Sequence, residues 1–136
     1  MDLAFTEQQE ILKKTARDFL QEECPSSFVR EMVEDELGYT ADLWQKMAGM
    51  GWLGLAFPEK YGGAAGNLLD MFILLEEMGR ACLPGPFFST VVLGGLTILN
   101  TGSEEQRLEL LPRIARGELV LSLALAEPHC GFEASA

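Results

Sequence analysis

Three times along this chain a short polar side chain is answered, three residues later, by a group that can reach back to it. The pairs are Thr6 with Gln9, Asn67 with Asp70 and Ser103 with Gln106, and an apolar stripe of helical period follows each. Such a pair satisfies backbone N–H groups that the first turn of a helix leaves without partners, so it fixes where a helix begins. With helical patterns over nearly the whole length before residue 119, we expect an all-α fold, a bundle of five or six helices. Ile11, Leu12, Ala16, Phe19 and Leu20 share one stripe from which Lys13, Lys14, Arg17 and Asp18 are excluded, predicting a first helix from Thr6 to Cys24 that Pro25 ends. A charged stretch over 28–36 predicts a short second helix. Thr40 caps a third through Leu43, Trp44, Met47 and Met50, closed by Gly51. Asn67 opens another, with Leu68, Met71, Phe72, Leu75 and Met78 as its inward stripe and an end near Gly79. Ser103 opens the last, through Leu108, Leu110, Leu111 and Ile114, with Pro112 expected to kink or shorten it before Gly117 closes it.

Two stretches need separate treatment. The segment WLGLAFPEKYGGAAG is rich in glycine and aromatic residues and reads as a packed loop, with Trp52, Leu55, Phe57 and Tyr61 set between helices. It lacks the spacing and the Lys-Ser/Thr ending of a phosphate cradle. Between Arg80 and Glu104 lie 23 uncharged residues, long enough to cross a bilayer. Pro84, Gly85 and Pro86 break its start and 100–103 are polar, leaving 87–99 as a buried core helix and no membrane partner.

Charge and cysteine content exclude further classes. Ten basic residues against 21 acidic ones give a net charge of -11 with no basic run, so no nucleic-acid partner is expected. Cys24, Cys82 and Cys130 have neither metal-ligand nor CxxC spacing and read as reduced thiols, mostly buried, with no metal site. MDLAFTEQQE carries no basic and apolar leader, which fits a cytoplasmic protein. His129 beside Cys130 is a weak nucleophile pair, because neighbours on extended chain point to opposite sides.

After the last helix the pattern changes. Residues 119–125 read as a strand, followed by the corner Glu127-Pro128 and then Gly131. A lone strand leaves its amides and carbonyls without a ladder. Either another chain pairs with it or a further sheet of the same polypeptide does.

LAFPEKYGG, LLEEMGR and TGSEEQRLELLPRIARGELVLSLALAEP, with a glycine after the last, resemble in order and spacing the amino-terminal half of the flavin-dependent acyl-CoA dehydrogenases. The resemblance covers nearly the whole chain. It implies a helical amino-terminal domain over residues 1–118, with 119–136 beginning a middle β-domain and a carboxyl-terminal helical domain beyond it. In the family a Glu in that last domain takes the α-proton of an acyl-CoA while the β-hydrogen leaves as hydride for the flavin. The cofactor so implied is FAD, acyl-CoA the partner, fatty acid metabolism the context and a homo-oligomer the assembly. The resemblance places Leu125, Ala126 and Glu127 against the flavin and Gly131 and Phe132 against the acyl-CoA. Ala126 stands where the family has Thr, Phe132 where it has Ser and Glu133 where it has Asp, so two hydroxyls are missing. It also places Ser89, Thr90 and Leu93 beside the acyl channel; from spacing alone these residues and Gly94 serve close helix packing equally well. No catalytic residue is assigned within the chain: Glu76 and Glu77 fall in the helical domain, away from the family's base. The alternatives are a flavin-poor subunit of a mixed oligomer and a stand-alone helical interaction module.

On this reading far-ultraviolet circular dichroism of the 136-residue chain is dominated by helix. A β-dominated spectrum refutes it.

Overall fold

Each expected capping pair closes as drawn. Thr6 Oγ1 accepts the Gln9 amide at 3.2 Å while the Gln9 side chain accepts the Thr6 N–H at 3.1 Å, opening α1 (Glu7–Glu23). The same reciprocal pattern at Asn67 and Asp70 opens α4 (Leu68–Arg80), and at Ser103 and Gln106 opens α6 (Glu104–Ala115). Between α1 and α4 lie α2 (Ser26–Glu34) and α3 (Ala41–Gly49), the latter capped by Thr40 Oγ1. The computed structural model describes residues 4–124. Over these the chain is all-helical, as expected.

The segment read as a packed loop is the centre of the core. It contains two 3₁₀ turns, Trp52–Gly54 and Glu59–Tyr61, and buries Trp52, Leu53, Phe57 and Tyr61 against Leu20, Trp44, Leu74, Leu111 and Ile114. Leu55 is half-buried. One polar anchor fixes it to α6, the Tyr61 hydroxyl donating to both Glu104 oxygens at 2.9 and 3.1 Å, and from α3 Trp44 Nε1 donates at 3.1 Å to the carbonyl of Gly117, just past α6. Gly117 has φ +71°, the left-handed residue with which such a helix ends.

Four expectations are corrected. On α4 the buried residues are Met71, Ile73, Leu74, Glu77 and Met78, whereas Leu68 and Phe72 are 59% and 56% exposed and Leu75 is half-buried. The sequence LLDMFILLEEM is apolar around most of its circumference, so periodicity alone admits two inward faces; the docking of α1 selects one. Pro112 does not cut α6 short, since the helix runs on to Ala115, and of its expected stripe Leu108 is 54% exposed. The single core helix expected over 87–99 is instead a π-helix, Phe88–Gly95, that passes directly into α5 (Leu96–Thr101). Among the described residues no helix is long and apolar enough to cross a membrane. Lastly, residues 119–124, read as most of a strand, form no ladder, and among the described residues no strand is present to pair with them.

α1 and α4 run side by side in the same direction, Gln9 meeting Asp70, Arg17 meeting Glu77 and Cys24 meeting Ala81. The middle contact carries charge. Glu77 is fully buried; Arg17 donates through Nη2 to Oε1 at 2.7 Å and through Nε to Oε2 at 3.0 Å, and Arg80 Nε donates to Oε2 at 2.8 Å. The Arg17 hydrogen bonds, helped by Arg80 and by both positive charges and opposed by burial, hold the carboxyl at a pKa of about 2.

A folded-state pKa below the unfolded one stabilises above the unfolded value. The Glu77 contribution is therefore full at neutral pH and lost as pH falls through 4.5 towards 2. Glu77→Gln should lose about 2–3 kcal/mol at pH 7, less than a fully buried pair would, because both arginines are partly solvated. Its acid-unfolding curve should be flatter than that of the parent over that window, as followed by circular dichroism. Parallel curves would show that the triad does not set the acid limb.

Candidate functional site

Phe88–Gly95 contains Thr90, Val91 and Val92 in succession and ends in Gly94-Gly95, all weak helix formers. Packing therefore outweighs local preference here, and the helix widens: Leu96 N–H reaches back five residues to Val91 O. Such π segments within helices are frequent at functional sites. Thr90, Val91, Gly94 and Gly95 are buried, Phe88 and Leu93 are exposed, and Ser89 and Val92 lie between.

The two glycines admit two different neighbours. A Cβ on Gly95 would stand 2.5 Å from Phe57 Cζ, and one on Gly94 would stand 2.9 Å from Leu121 Cβ. Gly95 thus lets the loop aromatic into the core. Gly94 lets the chain after α6 lie against the π-helix.

That chain is held by one hydroxyl. Thr90, fully buried, accepts the Leu121 N–H at 3.1 Å and donates to the Leu121 carbonyl at 3.2 Å. It satisfies both backbone groups of a residue that has no ladder, which burial would otherwise penalise. So the three expected acyl-channel residues separate. Thr90 faces inward with its polar atom engaged. Ser89 is half-buried and donates to Pro86 O at 3.1 Å, and Leu93 is on the open side. Leu125, Ala126, Glu127, Gly131 and Phe132 lie outside the described residues. The spacing of small residues signalled close approach at Gly94. Nothing in the sequence signals that Thr90 grips Leu121, because the two are 31 positions apart.

On the open side, between α4 and the π-helix, a cavity of about 230 Å³ is lined mainly by Leu75, Met78, Leu83, Phe87 and Phe88, with Cys82 at its edge. The exposed Phe72 and Leu68 continue its apolar character back along α4. No carboxylate or imidazole lines it. Among the described residues no group of His, Cys, Asp and Glu could hold a metal ion. The face can bind apolar matter and exclude water; it has no group able to take a proton from carbon.

Residues 6–118 match the family model described as the acyl-CoA dehydrogenase, N-terminal domain. The chain is similar to the acryloyl-CoA reductase (NADH) of Anaerotignum propionicum, with 33% identity over all of this chain and 34% of the relative. It is similar in structure to an acyl-CoA dehydrogenase complexed with FAD from Bacillus anthracis, at TM-score 0.82 and 30% identity over 93% of this chain and 22% of that one. A third resemblance is to the ChsE4–ChsE5 complex of Mycobacterium tuberculosis, at TM-score 0.77 and 32% identity over 96% of this chain and 33% of the matched one. The chain thus spans about a third of the length of the curated relatives it matches.

Thr90→Val keeps the shape but leaves the Leu121 N–H and carbonyl unpaired, at a cost of about 1–3 kcal/mol. Hydrogen exchange at the Leu121 amide should accelerate more than stability alone dictates, and Thr90→Ser should restore slow exchange. Equal exchange in all three proteins would show that the hydroxyl does not hold the segment.

Proposed function

This chain belongs to the acyl-CoA dehydrogenase family as its amino-terminal domain, and from that membership we propose that it is the helical part of an FAD-dependent oxidoreductase acting on acyl-CoA thioesters. The reaction of the whole protein is α,β-dehydrogenation, in the setting of fatty acid metabolism in the cytoplasm. The observation that carries this reading is the family match over residues 6–118. Residues 1–118 form the helical unit and 119–136 open the middle β-domain.

Within that frame the chain supplies walls rather than reagents. Phe88, Leu93 and Ser89 border the acyl group, with the α4–π-helix cavity at one end of the channel and Thr90 fixing the inner wall. Leu125, Ala126 and Glu127 run past the flavin, and Gly131 and Phe132 lie beside the thioester carrier. FAD, when bound, supplies the hydride acceptor. The described residues give it no polar cradle on this face, so contacts from this chain reduce to the 125–127 backbone. The base comes from elsewhere in the protein: Glu77 is held ionised by two guanidinium groups, with a pKa of about 2, and Glu76 is a surface partner of Lys13. A homo-oligomer completes the assembly.

A second reading has its own support. Ala126 and Phe132 stand where hydroxyls are expected, which favours a flavin-poor subunit of a mixed oligomer; one similar solved structure is of the ChsE4–ChsE5 complex.

The purified 136-residue chain should be colourless and form no enoyl-CoA from any acyl-CoA. In the full-length protein carrying this domain, Leu93→Trp should lower kcat/KM for long acyl chains at least about tenfold while sparing short ones. An unchanged chain-length profile would remove Leu93 from the channel, and a yellow, active preparation of the short chain would overturn the division of labour.

A further inference from the structure

Cys24 and Cys82 mark the same end of two helices that lie side by side. Cys24 caps α1, and Cys82 follows Ala81, the cap of α4. Cys24 Sγ stands 3.9 Å from the Ala81 carbonyl oxygen, which belongs to the peptide leading into Cys82. Both thiols are free, and both line one cavity of about 400 Å³ with Leu20 and Val29 on its walls and Arg30 and Arg80 beside them. Their access differs: Cys24 is buried and Cys82 exposed. Cys82 also has φ +52°, a left-handed backbone that a residue with a side chain rarely adopts. The acyl-binding face uses neither thiol as a reagent.

We propose that Cys24 and Cys82 form a thiol–disulfide pair, oxidised by a low-molecular-weight disulfide to a bond that ties the carboxyl-terminal ends of α1 and α4 together. In the first step the exposed Cys82 thiolate attacks one sulfur of the small disulfide. That S–S bond breaks, one small thiolate leaves and takes up a proton, and a mixed disulfide stands on Cys82. In the second step Cys24, having given up its proton, attacks the Cys82 sulfur and expels the second small thiolate. Two protein thiols are oxidised and one small disulfide is reduced to two thiols. The order follows from access, because burial, with a smaller effect of Cys82 beside it, pushes the Cys24 thiol up and keeps it protonated until the mixed disulfide is alongside. Arg30 and Arg80 attract a disulfide that carries carboxylates, such as oxidised glutathione. Cys82 is the left-handed residue of the turn that closes α4, its own N–H donating to the Gly79 carbonyl at 3.0 Å and that of Leu83 to the Met78 carbonyl at 2.9 Å, so the turn holds it beside the end of α1.

The test uses the full chain with Cys130→Ser, which removes the third thiol. Exposure to oxidised glutathione should lower the intact mass by two hydrogens, and non-reducing peptide mapping should join the Cys24 peptide to the Cys82 peptide. The closed form should melt at higher temperature, because the cross-link restrains the unfolded chain, and dithiothreitol should reverse the rise. With Cys24→Ser the reaction should stop at a stable glutathione adduct on Cys82 with no rise in Tm; with Cys82→Ser, Cys24 should stay unmodified. A glutathione adduct that persists on Cys82 with Cys24 present, or no reaction at all by the folded chain, would overturn the proposal.

Discussion

Glu77 is a charge held entirely out of water, and the relation between α1 and α4 depends on it. A buried carboxylate is tolerable only when its oxygens are matched by donors, and here three N–H groups from two arginines do so within 3.0 Å. Arg80 comes from the same helix one turn on, so it would be near in any arrangement. Arg17 does not, and its two-pronged contact is met only when α1 lies along one side of α4. A bundle of leucine-rich helices has many nearly equal ways to stack; this ion triad penalises those that strand the carboxylate. The choice of face on α4 follows, with Ile73 and Glu77 turned in and Phe72 turned out.

That is also why α4 was the element least legible in sequence. Its start could be read, since Asn67 and Asp70 are local chemistry that acts within one turn. Its inward face could not, because apolar residues occupy most of its circumference and the deciding partner, Arg17, is 60 positions away. The starts of α1, α3 and α6 were likewise written in side-chain caps and the ends of α3 and α6 in left-handed glycines, whereas Ile11 on α1 and Leu108 on α6, both read as inward, are 59% and 54% exposed. The packed loop was legible through its aromatics and its excess of glycine. The π-helix was not, since it arises where β-branched residues and paired glycines are forced against Phe57 and Leu121. Of the candidate site, the small residues were visible as an opportunity for close approach. Which of them would face outward depended on contacts that no local pattern encodes.

The outward side of α4 and the π-helix shows what selection of one face leaves behind. Leu68, Phe72, Phe88 and Leu93 are large, apolar and open to solvent in this chain. Isolated exposed leucines are ordinary, but here Phe88 also lines the cavity between α4 and the π-helix, and apolar surface gathered around a cavity marks a place of contact. The Ser89 hydroxyl beside it is already engaged with the Pro86 carbonyl.

The two hydrogen bonds between Thr90 and Leu121 have a consequence for the described residues that follow. An extended chain presents its side chains alternately, so its phase is set once any one residue is pinned. Because a single hydroxyl answers both the N–H and the carbonyl of the same residue, a slip of one position would swap the sides taken by Ser122, Leu123 and Ala124. The buried threonine of a helix therefore acts as the timing mark for a segment that, among the described residues, has no neighbouring strand to keep it in step.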